Sequence, residues 1–262
     1  MALIAITTDF GLADPFVGIM KGVLATRAPG AAVIDVTHGI PPQDVLAGAL
    51  VLRHAAPYFP PGTIHLAVVD PGVGGSRRPI CVETDAALFV GPDNGLFSLA
   101  APAARTRRVV HLTDERFFLA PRSATFHGRD VFAPVAAALA TGTPPAALGP
   151  AVTDPVRIAV PAVEAAPGRL RGLVLYVDRF GNLVTNIEAA ALAAFPRQEV
   201  STTIGNVRMH GIATAYADVE PGALLAVVGS WGLLEVARRD GSAAAALGVG
   251  VGAPVVVEGP AA

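Results

Sequence analysis

The chain has little charge, few aromatic residues and a single cysteine. Only 15% of its 262 residues are charged, compared with about 25% in an average globular protein. Its apolar content of 52% argues against intrinsic disorder and predicts an extensive buried core. The net charge is −2, and no cluster of Lys and Arg alternates with aromatic residues. We therefore expect no surface for nucleic acid.

The lone cysteine, Cys81, excludes an intrachain disulfide and is compatible with a reducing compartment. It stands in a strand-like run, which favours a buried structural thiol over a nucleophile. No basic segment opens the chain, and the uncharged stretch 131–153 is broken by four prolines. These features predict neither a signal peptide nor a membrane span. We expect a soluble cytoplasmic protein that does not act at a membrane.

The first half of the chain alternates strand-like and helix-like segments. Apolar, β-branched runs predict strands at 3–8, 32–36 and 63–69. Helical spacing at 15–26 and 42–58 predicts the two connections between them. This β-α-β-α-β order is typical of a parallel sheet with helices packed on it.

The second part of the chain has a different character. Six prolines and little periodicity mark the stretch 141–169, which predicts a domain boundary within it. Short strands separated by turns follow, the clearest at 173–177, 202–209, 224–228 and 254–257. We therefore predict an α/β domain with a mostly parallel sheet (1–155), a linker (156–168) and a small all-β, barrel-like domain (169–262).

The strand over 63–69 ends on a carboxylate that a glycine-rich turn follows. Residues 70–78 read DPGVGGSRR, so six residues separate Asp70 from Arg77. Open α/β sheets bind ligands just beyond the carboxyl ends of their strands, which makes Asp70 a candidate for chemistry. The alternative is a surface turn with an exposed ion pair, which contributes little free energy.

Other polar motifs flank predicted strands and helices. They are TTDFGLAD (7–14), GPDNG (91–95), FHGRD (126–130), YVDRFGNLVTN (176–186) and GSWGLLE (229–235). A carboxylate at a strand end, such as Asp9, can accept hydrogen bonds from two vicinal hydroxyls. Each motif also has a structural alternative, namely a helix cap, a turn, an exposed histidine, a β-hairpin or a core tryptophan. The spacing of histidines and cysteines predicts no metal site, and the glycine loop lacks the ending of an ATP phosphate loop.

Together and in this order, these motifs resemble the S-adenosyl-L-methionine (SAM) hydrolases, also called SAM hydroxide adenosyltransferases, relatives of the fluorinases and chlorinases. The resemblance spans nearly the whole chain. It implies an α/β domain followed by a β-barrel domain. It also implies a homotrimer with SAM between the first domain of one subunit and the second domain of its neighbour. Water or hydroxide would attack C5′ of SAM, without a cofactor, to release adenosine and L-methionine.

The resemblance also implies roles for particular residues. The family's catalytic Asp-Arg-His set corresponds to Asp70, Arg77 and His127, although Arg78 leaves the choice of arginine open by one position. The implied substrate contacts are Asp9 for ribose, Asp14, Asp178 and Ser230 for methionine, and Asn182 and Tyr216 for adenine.

Two alternatives differ in what happens to SAM. Halogenases that resemble this family carry a hydroxyl-bearing aromatic residue where Asp70 stands and lack the His127 pattern. The residues here therefore favour a hydrolase over halide-dependent cleavage. A non-catalytic protein that binds SAM or adenosine is the second alternative, and the complete Asp70, Arg77 and His127 set disfavours it.

Overall fold

The computed structural model describes residues 1–260, which form two compact units. The first is Met1–Ala159 and the second begins at Val160. The predicted linker, 156–168, contains this division and also a short strand, β7 (Glu164–Ala166). The limits of that linker stay a prediction. In the part of the chain described, no helix is long and apolar enough to cross a membrane.

The first unit is built on a six-stranded mixed sheet. Its strands are β1 (Leu3–Thr8), β2 (Ala32–Thr37), β3 (Thr63–Val68), β4 (Pro79–Thr84), β5 (Ala87–Pro92) and β6 (Thr106–His111). Its α-helices are α1 (Phe16–Arg27), α2 (Val45–Ala55) and α3 (Ala133–Ala140), and a π-helical turn (Gly128–Phe132) precedes α3. The predicted β-α-β-α-β order is confirmed.

The strand order in this sheet is β2-β1-β3-β5-β4-β6. The strand β1 runs parallel to both β2 and β3, and β3 runs parallel to β5. Only β4 is antiparallel to its neighbours, so the prediction of a mostly parallel sheet is confirmed. Apolar residues of β1, β3, α1 and α3 form one core, with Ile6, Leu66, Met20 and Phe132 fully buried in it.

The second helix is shorter than its sequence pattern predicts. Asp44 caps α2 by accepting a hydrogen bond from Ala47 N at 2.9 Å, which sets the first turn three residues after the predicted start. A 3₁₀ turn over Ala56–Tyr58, with Pro57 in it, replaces the predicted last turn. Because proline removes a backbone donor, the α-helical bonding pattern ends before it.

The strands of the second unit pair antiparallel, and the prediction of an all-β, barrel-like domain is confirmed. Its remaining strands are β8 (Arg169–Val177), β9 (Leu183–Glu188), β10 (Ser201–Ile204), β11 (Val207–His210), β12 (Leu224–Val228), β13 (Leu233–Arg238) and β14 (Pro254–Glu258), with short helices α4 (Ala189–Leu192) and α5 (Ala243–Leu247). The order is β11-β10-β14-β8-β9-β13-β12, with β7 paired to β8. A bridge between Ala213 and Val227 draws the chain after β11 onto β12, which nearly closes the barrel.

The prediction of one strand over 202–209 is wrong. Two strands, β10 and β11, form a hairpin in which Ile204 pairs with Val207. Gly205, at φ +56°, and Asn206 form the two-residue loop between them. A positive φ in such a loop suits the twist of the paired strands.

A close contact between β3 and β5 generates a stability prediction. A methyl group added at Gly91 would lie 2.1 Å from the carbonyl oxygen of Ala67. We expect Gly91→Ala to lower the free energy of unfolding by about 1–3 kcal/mol, since the backbone must move to admit it. At exposed Gly22, within α1, an added methyl group would meet no atom within 4 Å outside its own helix backbone, and Gly22→Ala should stabilise by about 0.5–1 kcal/mol. Urea unfolding of both variants tests this contrast, and equal stabilities would contradict it.

Candidate active site

The site begins where the order of the strands in the first sheet reverses, with β2 on one side of β1 and β3 on the other. The strand β1 lies between β2 and β3, with Thr8 beside Val68. Asp9 directly follows β1, and Asp70 follows β3 by two residues. Adjacent strands are about 4.8 Å apart, so the two residues follow neighbouring strand ends at the same edge of the sheet. A reversal of this kind opens the crevice in which α/β sheets bind ligands.

Asp70 and Arg77 form a buried ion pair. Arg77 Nε donates to both carboxylate oxygens, at 2.9 and 3.0 Å, and Nη2 also contacts Oδ2. The side chains of Arg77 and Asp70 are only 9% and 5% exposed. A two-pronged contact between ionised groups away from water is much stronger than a surface pair, so the surface-turn alternative fails for Asp70.

The neighbouring arginine has other partners. Arg78 Nε donates to Asp93 Oδ2 at 2.8 Å, and Nη1 donates to Asp154 Oδ1 at 2.8 Å. Arg77, and not Arg78, is therefore the arginine that contacts Asp70.

His127 joins the same cluster through Arg77. The distance between Arg77 Nη2 and His127 Nδ1 is 2.8 Å. A guanidinium group only donates hydrogen bonds, so Nδ1 accepts and the neutral ring carries its proton on Nε2. Burial, followed by the charge of Arg77, lowers the pKa of His127 from its ordinary value. The Arg77 guanidinium also lies 5.3 Å from the centroid of the Phe132 ring.

Two loops meet to form this cluster. At Gly74, with φ +76°, a side-chain carbon would lie 2.3 Å from the carbonyl oxygen of Ala124. Only glycine fits there, and the loop after β3 thus rests on the segment that leads to His127. The π-helical turn follows His127 directly, and such turns occur often at functional sites.

The two other predicted residues of the first unit lie near β1. Asp9 is half-buried, and its Oδ2 accepts a hydrogen bond from Gln43 N at 2.8 Å. Asp14 is exposed in the turn before α1. Three rings that the sequence analysis did not nominate as site residues, Phe10, Phe16 and Phe126, pack edge-on with centroids 5.2–6.0 Å apart.

The remaining predicted residues share a recess in the second unit. Its volume is about 920 Å³, and Asp178, Asn182, Tyr216 and Ser230 all line it. The rings of Tyr176 and Trp231, with centroids 5.4 Å apart, form part of the wall. A large recess that combines aromatic surface with a few polar groups suits a small organic ligand.

Asp178 also organises the turn between β8 and β9. Its Oδ1 accepts from Phe180 N at 2.9 Å and Asn182 N at 2.8 Å, and its Oδ2 accepts from Asn182 Nδ2 at 2.8 Å. The hairpin alternative is therefore correct for this motif, and the same hairpin presents Asp178 and Asn182 to the recess.

Glu235 also lines the recess. It belongs to the motif GSWGLLE, but the sequence did not identify it as a site residue. It is only 6% exposed, and its Oε2 accepts from the Tyr216 hydroxyl at 3.1 Å. Burial raises the pKa of Glu235, and burial together with Glu235 raises the pKa of Tyr216 to about 12. A side-chain carbon at Gly229 would lie 1.8 Å from Glu235 Oε1. The sequence signal for Glu235 was a carboxylate inside the apolar run LLEVA (233–237), which indicates a buried charged group.

Two further expectations concern metal ions and Cys81. Within residues 1–260, no three His, Cys, Asp or Glu side chains are grouped so that they could hold a metal ion. Cys81 is fully buried, and burial raises the pKa of its thiol to about 12. The interpretation of Cys81 as a buried structural thiol is confirmed.

Comparisons with known proteins agree with this geometry. The chain matches the family model of the SAM hydroxide adenosyltransferase N-terminal domain over residues 4–149 and that of its C-terminal domain over residues 172–256. A relative from Salinispora tropica named (R)-S-adenosyl-L-methionine hydrolase is 48% identical, with 94% of each chain covered. A relative of the same name from Thermus thermophilus is 46% identical, with 95% of this chain and 96% of the relative covered. The crystal structure of an uncharacterized conserved protein from Thermotoga maritima superposes with a TM-score of 0.90 at 35% identity, covering 97% of this chain and 99% of that one.

The contact between Arg77 and His127 generates a titration prediction. Because a histidine whose pKa is lowered resists protonation in the folded protein, His127 should titrate below the ordinary value of 6.5. Its contribution to stability is then complete above pH 6.5 and is lost as the pH falls through the lowered pKa. In Arg77→Gln the midpoint should move up, because the charge of Arg77 lowers the pKa of His127 and the charge of Asp70, which remains, raises it. Proton–carbon NMR of the imidazole measures both midpoints, and an unchanged midpoint in the variant would contradict the assigned contact.

Proposed function

Because the chain belongs to the SAM hydroxide adenosyltransferase family, we propose that it hydrolyses SAM to adenosine and L-methionine. The observation that carries this proposal is the buried cluster of Asp70, Arg77 and His127 at the carboxyl end of β3. These are the three residues to which the family's catalytic set corresponds.

The reaction is a displacement at the C5′ carbon of the ribose. A bond forms between the water oxygen and C5′ as the bond between C5′ and the sulfonium sulfur breaks, and the bonding electron pair goes to sulfur. Methionine leaves as a neutral thioether, so the leaving group needs no acid. The water must be oriented behind C5′ and must lose a proton. Orientation of a nucleophile in this way can supply several kcal/mol of the barrier.

The geometry suggests a different task for each member of the cluster. Arg77 holds the Asp70 carboxylate by both oxygens. A carboxylate has about four acceptor positions, so Asp70 retains capacity to accept a hydrogen bond and then the proton from water. His127 has Nδ1 occupied by Arg77, and its Nε2–H would donate to the water oxygen. In this arrangement Asp70 is the base and His127 orients the water.

The other predicted residues would bind the substrate. Asp9, beside Asp70 at the strand ends, suits the two ribose hydroxyls. In the recess of the second unit, Asp178 and Ser230 would bind the methionine portion, while Asn182 and Tyr216 would bind adenine. Asp14 would add a carboxylate for the positively charged methionine portion. The aromatic wall at Tyr176 and Trp231 suits a planar base.

The proposal extends to the assembly. The residues of the catalytic cluster belong to the first unit and the lined recess to the second. In a homotrimer, as the resemblance implies, the first unit of one subunit and the second unit of its neighbour would hold one SAM molecule. The cytoplasmic location and the absence of a cofactor stay predictions.

Asp70 provides the most direct mutational test. Asp70→Asn keeps the size of the side chain but removes the base, so adenosine formation from SAM should fall by a factor of about 10²–10⁴. Asp85→Asn is the matched control, because both carboxylate oxygens of Asp85 also accept from an arginine, Arg105, at 3.2 Å, but at an exposed position. Its activity should stay at the wild-type level.

Chromatography of the reaction mixture measures adenosine. Circular dichroism and calorimetric titration with SAM show whether each variant is folded and still binds. A folded Asp70→Asn protein with wild-type adenosine production would contradict the role of Asp70.

A further inference from the structure

Apart from the ion pair that joins its two ends, the Asp70–Arg77 segment contains little that fixes its own shape. It includes Gly72, Gly74 and Gly75, which allow more backbone conformations than other residues. Its internal backbone bonds are turn contacts, from Val73 N to Asp70 O at 3.2 Å and from Gly75 N to Gly72 O at 3.0 Å. Apart from that ion pair, the contacts that hold its two ends in place lie outside the segment.

The motif GPDNG (91–95) contacts the chain on both sides of this segment. Asn94 Nδ2 donates to the carbonyl oxygen of Val69, the residue before Asp70, at 2.8 Å. Asn94 Oδ1 accepts from Leu96 N at 3.2 Å, which fixes the orientation of the carboxamide. The beginning of the segment is thus attached to the end of β5.

The preceding residue holds the other end. The side chain of Asp93 is 1% exposed, and its Oδ2 accepts from Arg78 Nε at 2.8 Å. The backbone N–H of Asp93 donates to the carbonyl oxygen of Arg78 at 2.9 Å. Asp93 Oδ1 accepts from Val156 N at 2.8 Å, so Asp93 is itself anchored. Two consecutive residues therefore hold the residue before Asp70 and the residue after Arg77.

We propose that Asp93 and Asn94 are positioning residues that fix the separation of Asp70 and Arg77. They touch neither reacting atom. They act by holding Val69 and Arg78, so that the Asp70 carboxylate meets the Arg77 guanidinium with both oxygens and Arg77 reaches His127. The kinetic part of this inference rests on the proposed hydrolysis, and the structural part does not.

The variant Asn94→Asp removes one of the two hydrogen bonds of this side chain and keeps the other. The carboxylate retains an acceptor for Leu96 N but loses the donor to Val69 O and places negative charge against that carbonyl. A displacement of about 1 Å at a reacting group can cost about 10²-fold in rate. We expect kcat for adenosine formation to fall about 10- to 100-fold, with KM within about threefold of wild type, because no substrate contact is removed.

The second unit offers a matched control. Asn186 Nδ2 donates to the carbonyl oxygen of Pro161 at 2.8 Å, and its Oδ1 accepts from Leu173 N at 2.8 Å. Asn186→Asp thus removes the same kind of bond far along the chain from the catalytic segment. Both variants should lose a similar number of degrees in Tm, and only Asn94→Asp should lose kcat. Equal kcat in the two variants, at matched folded fraction, would overturn the proposal.

A spectroscopic readout keeps this test independent of the activity. The Arg77 Nε–H, donated to Asp70, should exchange slowly with solvent in nitrogen-15 NMR spectra of the wild type and of Asn186→Asp. Its exchange should be at least about tenfold faster in Asn94→Asp, or in Asp93→Asn if the first variant does not fold. Unchanged exchange in the folded variant would overturn the positioning role. A wild-type protein that forms no adenosine but shows this difference would refute the hydrolysis and uphold the positioning.

Discussion

The guanidinium group of Arg77 is the constraint on which the rest of the site depends. It binds both oxygens of Asp70 and the Nδ1 atom of His127, and the side chains of Arg77 and Asp70 are almost entirely buried. A buried carboxylate without such a partner would cost several kcal/mol. The same group determines which nitrogen of His127 carries the proton. One cation therefore contacts both groups that would handle water and determines the tautomer of His127.

The first sheet and the glycine-rich segment after β3 together position the Arg77 guanidinium. Asp70 and Asp9 share a sheet edge because β1 and β3 are parallel neighbours at the reversal of strand order. The glycine-rich segment then returns Arg77 to Asp70, and Gly74 allows that segment to rest on the backbone before His127. A substrate with a positively charged sulfonium suits an edge that presents carboxylates. Within the second unit, the recess presents aromatic surface of the kind that suits a nucleoside.

The sequence predicts the strands around this site well, because their apolar runs are bounded by polar turns, as at Asp9 and Asp70. It does not separate Arg77 from Arg78, since a flexible glycine segment can bring either one back to Asp70. The sequence does not identify Glu235 as a site residue, because its hydrogen-bond partner, Tyr216, lies 19 residues away in the chain. The protonated nitrogen of His127 depends on a contact 50 residues distant. The hairpin of β10 and β11 was missed because its two-residue loop interrupts the apolar pattern so briefly.

Isotopic labelling shows whether water attacks C5′ of SAM. SAM is incubated with the wild-type protein in water enriched in oxygen-18, and the products are analysed by mass spectrometry. If water attacks C5′, one oxygen-18 atom is expected in the 5′-hydroxyl of adenosine and none in the methionine released with it. Unlabelled adenosine, or 5′-methylthioadenosine in place of adenosine, would rule out this attack.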